Sequence, residues 1–135
     1  MAEFAPVPMD PNAGPRRFVV LRHDLPDGGR HFDFMLAQGE SLATWQCPRP
    51  PEDATAEPMG VRRITDHRCV YLDYEGPISG NRGEVARHDV GHYQVLCWSE
   101  TEIVVRLSGG RLAGIVRLTR QADDPQSWSL ALSAK

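Results

Sequence analysis

The sequence predicts an all-β fold: a small single-domain β-barrel of about eight strands with at most short helical turns. Three observations carry this. Short runs rich in β-branched and aromatic residues recur roughly every ten residues, punctuated by Gly, Pro, Asp and Asn. No segment shows a long helical period with caps at both ends. The chain has 135 residues and is 41% hydrophobic, which suits one ordinary core. Closing such strands on themselves leaves no exposed sheet edge.

Residues 1–15 stand apart. They carry Pro6, Pro8, Pro11 and Pro15 with few large apolar groups, and are expected to form a disordered N-terminal arm. The folded domain is expected over 16–135. Its first strand covers 17–23 (RFVVLRH), and the loop DLPDGG at 24–29 supplies the Pro, Asp and Gly of a hairpin turn. A strand at 31–37 (HFDFMLA) follows, then a turn around Gly39 and a strand at 42–46 (LATWQ), which together make a β-meander. Residues 48–58 hold four prolines and read as an irregular surface connection. A short strand is expected at 61–65, a strand end at 71–74 and a glycine-containing loop at 76–83. Two strands, 84–88 and 92–97, are expected across a turn at 89–91. A hairpin pairs 102–107 with 112–119 around 108–110, and 128–132 is the last strand.

Composition narrows the function. The net charge is −3 and the sequence pI about 5.9, which argues against a strong non-specific nucleic-acid binder. Every basic residue but Lys135 is an arginine, and arginine grips phosphate with paired hydrogen bonds. Cys47, Cys69 and Cys97 are odd in number and form no CxxC pair, so neither a disulfide framework nor a cysteine zinc site is expected. No basic-then-apolar leader and no apolar run of membrane-spanning length are present, and a cytoplasmic monomer is expected.

The densest chemistry lies between His23 and Asp33. His31 and Asp33 are two residues apart, so a strand puts both on one face and turns Phe32 and Phe34 to the other. His23 ends the preceding strand, and hairpin pairing brings its imidazole towards His31. Two imidazoles and a carboxylate on stiff strands form a half-shell for Mn²⁺, Zn²⁺ or Fe²⁺ with positions open to substrate. An HxD on a strand is common by itself. Asp24 and Asp27 are turn formers, His88 and His92 are expected in solvent, and Trp45, Trp98 and Trp128 in the core.

Taken in order, several segments resemble the 3′-phosphoesterase domain of bacterial ATP-dependent DNA ligase D. His23, a short loop and H31-F-D33-F-M-L resemble its metal-binding strand. W45-Q-C-P48-R49 resembles its W-A-V-P-K segment, and T65-D66-H67 with Y71-x-x-Y74-E75-G76 its E-D-H-P-x-x-Y-x-x-F-E-G block. G80-N-R-G83-E-V with D89-x-G91, then L107-x-x-x-R111-L112-x-G114 and W128-x-L130, resemble its later hairpin and closing strands. The resemblance covers roughly residues 16–133.

The resemblance implies a phosphoesterase-like barrel that removes a 3′-ribonucleoside and a 3′-phosphate from nucleic-acid ends in DNA repair. It implies a divalent metal, Mn²⁺ first and Zn²⁺ or another transition metal next, on His23, His31 and Asp33. It implies that His67 contacts the phosphate, that Tyr71 shares that pocket and that Arg49 binds substrate in place of a family lysine. It implies primer–template or nicked DNA as partner, with a separate DNA ligase or polymerase. Two positions depart from the pattern: Met35 stands where the family has arginine, and Thr65 where it has glutamate. The loop after His23 is also longer. Arg22, Arg30 and Arg49 are the candidates to replace the missing charge. Two other readings stay open: a non-catalytic metal-containing nucleic-acid-binding module, and a hydrolase of a small phosphate ester.

Overall fold

A computed structural model describes residues 16–134, so the expected arm at 1–15 lies outside the described residues. Strands β1 (Arg16–Asp24), β2 (Arg30–Gln38) and β3 (Ser41–Cys47) form the meander that the first turn signals predict. The first turn closes with the Leu25 amide donating to the Gly29 carbonyl and the Gly28 amide to the Leu25 carbonyl. Then come β4 (Met59–Arg68), the two-residue β5 (Gly76–Pro77), β6 (Glu84–Trp98), β7 (Glu102–Gly109), β8 (Ala113–Arg120) and β9 (Ser127–Ser133). Hydrogen bonding runs β1-β2-β3-β4-β9-β8-β7-β6 and returns from β6 to β1, every pair antiparallel. Eight strands therefore close a barrel, with β5 a short addition beside β6.

Strand alternation sorts the residues into two clusters. Phe18, Val20, Phe32, Phe34, Trp45, Tyr93, Val105 and Trp128 fill the interior with their neighbours. Val19, Leu21, Met35, Leu42 and Val85 point outward from β1, β2, β3 and β6, and Leu72, Tyr71 and Tyr74 cover them. This second, outer cluster positions the site. The sheet face that would otherwise be wet is roofed by a short segment, and the polar residues of the same face emerge beside that roof.

Several expectations are corrected. The segment 71–74 is no strand: Cys69–Leu72 is a single 3-10 turn, because docking Leu72 and Tyr71 on the outer cluster outweighs the β preference of Val and Tyr. The two strands expected over 84–97 are one fifteen-residue strand, Glu84–Trp98. Asp89, Val90 and Gly91 read as a turn from their residue types, yet the strand passes through them. Gly91 serves close approach: a Cβ there would sit 2.1 Å from the Ser108 carbonyl of β7. Asp89 is buried and serves as a cap for another loop. Its Oδ1 accepts from the Val90 and Gly110 amides, and its Oδ2 from those of Arg111 and Leu112, at 2.8–3.0 Å.

Residues 48–58 are more than a surface connection. Pro51–Asp53 makes a 3-10 turn, Ala54 joins the interior cluster, and the Leu132 amide donates to the Ala54 carbonyl. From this segment Glu52 Oε2 reaches His88 Nε2 at 2.7 Å, and the His88 ring stands edge-on to Phe32. His88 is thus half-buried and paired, not in solvent; a bulge in β6 opposite Val20 and Leu21 turns it that way.

Candidate metal centre

His23 of β1 and His31 of β2 are directly opposite each other in the register, and Leu21 is opposite Asp33. Directly opposed residues share a face, so both imidazoles and the carboxylate emerge on the outer side of the barrel. The two rings stand edge-to-face with centroids 4.7 Å apart. One donor atom from each of His23, His31 and Asp33 lies within 4.8 Å of the other two. The spacing is compatible with one ion drawing all three inward.

The polar chemistry of the three residues fits a cation. Asp33 is 4% exposed, and its Oδ1 has no hydrogen-bond partner, although His31 Nε2 lies 3.3 Å away. A buried carboxylate oxygen without a donor is costly unless a positive charge compensates it. His23 Nε2 contacts the Arg82 carbonyl at 2.8 Å. A carbonyl only accepts, so Nε2 carries the hydrogen and Nδ1 keeps the lone pair that a metal needs. Gly83, with φ +89°, makes that approach feasible: a Cβ there would lie 2.0 Å from the Asp24 carbonyl. The Arg82 carbonyl is a contributor that no side-chain motif announces.

His67 and Tyr71 lie on the same outer face, further along it. His67 is in β4, directly opposite Leu42, which in turn is opposite Ala37 of β2. Its ring meets Tyr71 edge-on at 5.7 Å, and Tyr71 meets Tyr74 likewise at 5.9 Å. His67 Nδ1 donates to the Thr65 carbonyl at 2.9 Å, which leaves Nε2 facing away from its own backbone. That contact is made through the main chain, so threonine at position 65 serves it as well as glutamate would. Between this pair and the metal cluster runs Met35, which is fully buried and in the same apolar cluster as Tyr71.

The three arginines considered as replacement charges fare differently from one another. Asp24 binds both Arg22 and Arg30, the latter at 2.6 Å, and the Arg30 guanidinium holds the Asp24 carboxyl below its ordinary range. Arg22, Asp24 and Arg30 are at even-numbered positions, so alternation turns them away from the face that carries His23, His31 and Asp33. Arg49 lies just past β3, largely exposed, with Asp53 4.0 Å away as its ion-pair partner. It is not joined to His23, His31 or Asp33 by any of these contacts.

The residue row through Asp33 continues across the sheet. Gln46 of β3 is opposite Asp33, and Arg62 of β4 is opposite Gln46. Neither was singled out from sequence, because only the three-strand register places them beside the carboxylate.

Known proteins share this arrangement of sequence. The family profile described as the DNA Ligase D 3′-phosphoesterase domain matches residues 22–120. A multifunctional non-homologous end joining protein LigD of Mycobacterium bovis is 30% identical over 114 residues, 79% of this chain. A multifunctional non-homologous end joining DNA repair protein LigD of Mycobacterium tuberculosis (strain CDC 1551 / Oshkosh) matches to the same extent. The chain spans about 15% of the length of each of these relatives.

Proposed function

Because the chain belongs to the DNA ligase D 3′-phosphoesterase domain family, we propose that it is a metal-dependent phosphoesterase acting on nucleic-acid 3′ ends in DNA repair, removing a 3′-ribonucleoside and a 3′-phosphate. The observation that carries this reading is the convergence of His23, His31 and Asp33 on the face that also bears His67 and Tyr71. His23, His31 and Asp33 would hold the divalent ion, Mn²⁺ or another transition metal such as Zn²⁺. Bound there, such an ion supplies Lewis-acid stabilisation of charge on a phosphoryl group.

The chain's own residues supply the rest. His67 is held by the Thr65 carbonyl at Nδ1, so Nε2 is the atom offered to substrate. In its protonated form Nε2–H passes its proton to the leaving oxygen as that phosphorus–oxygen bond breaks and a water oxygen forms the new bond to phosphorus. Tyr71 packs against the imidazole and limits its rotation. Met35, Leu42 and Leu72 beneath these groups exclude water from one side, which strengthens each polar contact above them.

His67→Ala is therefore expected to lose about 100- to 1,000-fold in turnover, the usual cost of one such donor. Metal content should stay at the wild-type level, as measured by elemental analysis after desalting. Equal loss of metal would place His67 among the ligands instead.

A second reading, a non-catalytic metal-containing nucleic-acid-binding module, is favoured by one observation: position 35 is an uncharged, fully buried methionine beside Asp33 on the same face. One assay separates the two. The protein is incubated with Mn²⁺ and primer–template DNA ending in a 3′-ribonucleotide or a 3′-phosphate, and the ends are resolved by electrophoresis. Conversion to 3′-hydroxyl ends supports the phosphoesterase. Unchanged ends with metal retained support the binding module, and activity confined to small phosphate esters would support a third function.

A further inference from the structure

We propose that single-stranded nucleic acid leading to the reacting end lies in the groove over β3, β4 and β9, and that Arg62 binds one of its backbone phosphates. This rests on the 3′-end reading above and adds the direction of the strand and the residue that holds it. The groove is lined by Gln46, Gly60, Arg62, Gln121, Ser127 and Ser129. It begins at the metal cluster, because Gln46 is both its wall and the residue opposite Asp33. Two strand spacings separate Asp33 from Arg62, roughly 10 Å between Cα atoms, which an arginine side chain spans in good part. A Cβ on Gly60 would meet nothing within 4 Å, so the floor is open. Pro48, Val61 and Trp128 complete the walls, and among them Gln46, Gln121, Ser127 and Ser129 offer amides and hydroxyls, neutral groups of the kind that bind sugar and phosphate oxygens without opposing the charge of the strand.

Arg62 can be recruited cheaply. It donates to the exposed Gln126 Oε1 at 2.5 Å and lies 3.6 Å from Asp124 Oδ2, both charged groups about half exposed, so it is held by a neutral amide that water can replace and by an ion pair of the weak surface kind. Asp124 does not depend on it, since its oxygens also accept from the Gln126 amide and the Ser127 hydroxyl at 2.9 and 3.0 Å. A phosphate entering the groove therefore takes the guanidinium without orphaning the carboxylate. The other flank of the cluster is unlike this one. Arg87 of β6 is opposite Leu21 in the same row, but its amide is bound by Glu75, and Asp73 faces it. That side is roofed and acidic, so the row is open only towards Arg62.

The test measures binding with turnover absent. A fluorescein-labelled single-stranded DNA with a 3′-hydroxyl, the reaction product, is titrated with the Mn²⁺-loaded protein, and anisotropy is followed from about 50 to 200 mM salt. Arg62→Ala is expected to weaken binding about 5- to 10-fold at the lower salt and to reduce the slope of log affinity against log salt by about 0.7, one phosphate contact on a single strand. Arg62→Lys should recover part of the loss, and Arg87→Ala should stay within about 2-fold of wild type. Equal affinity and slope for wild type and Arg62→Ala overturn the inference, as do equal losses in Arg62→Ala and Arg87→Ala, or no binding by wild type. A separate arm follows phosphate release from a mononucleoside 3′-phosphate, which has no second phosphate to reach Arg62. Activity there, unchanged by Arg62→Ala, leaves the phosphoesterase reading standing whichever way the binding experiment falls.

Discussion

Asp33→Ala is expected to abolish both metal binding and phosphoesterase turnover while leaving the barrel folded and, without metal, no less stable than wild type. The sign of the stability term follows from the burial. Asp33 is 4% exposed and its Oδ1 accepts no hydrogen bond, with only the His31 imidazole 3.3 Å away, so the free protein carries the cost of a buried, poorly compensated carboxylate. Removing the carboxylate removes that cost, although it opens a small void. Function and stability then diverge, as they do where a site is built for a ligand that the fold itself does not need. The measurement is a pair of thermal melts, in chelator and in Mn²⁺. Wild type should gain on adding metal, by about 2.7 kcal/mol at a hundredfold excess over Kd, and the variant should gain nothing. A variant that keeps the metal-induced shift would show that Asp33 is not a ligand, and the proposed chemistry would have to move elsewhere on the molecule.

The parts of this site that could be read from sequence are those set by local periodicity. His31 and Asp33 share a face because a strand has a period of two, and the DLPDGG loop fixes the hairpin that returns His23 to them. The barrel itself follows from the spacing of the short β runs. What escaped reading depends on contacts across long separations. Arg82 contributes a carbonyl, which has no side-chain signature. Gln46 and Arg62 join the row of Asp33 only through the register of three strands. His88 finds its partner in Glu52, which belongs to a proline-rich segment with every mark of an exposed loop. Tyr71 and Tyr74 favour a strand by composition, yet Tyr71 is taken up by a helical turn and Tyr74 follows it in a loop, because the outer cluster needs a cover. Local signals thus lay out the three candidate ligands, whereas the surroundings that orient them are tertiary.

The largest loss of stability is expected at Asp89, outside the proposed chemistry. Asp89 looks like a turn former in sequence, beside Gly91, but in the structure it sits inside β6 at 7% exposure. Its two oxygens accept from the amides of Gly110, Arg111 and Leu112, which turn the chain between β7 and β8, as well as from Val90. Asp89→Ala leaves three turn amides without an acceptor, and Leu112 beside them is fully buried. The Leu112 amide is buried and those of Gly110 and Arg111 partly so; a fully buried, unsatisfied amide costs about 1–3 kcal/mol and the other two less, so a total of about 3–5 kcal/mol is expected. For a domain of this size that corresponds to a fall of roughly 10–20 °C in Tm. Asp89→Asn keeps one carbonyl oxygen as acceptor but turns an amide group towards donors, so it should fall between alanine and wild type. Because Asp89 is opposite Val20, an interior residue, the damage stays away from the outer face. Mn²⁺ binding and turnover by Asp89→Ala should match wild type well below the lowered Tm. A melting temperature within about 3 °C of wild type would mean that the hairpin turn satisfies its own amides, and the carboxylate would lose its structural role.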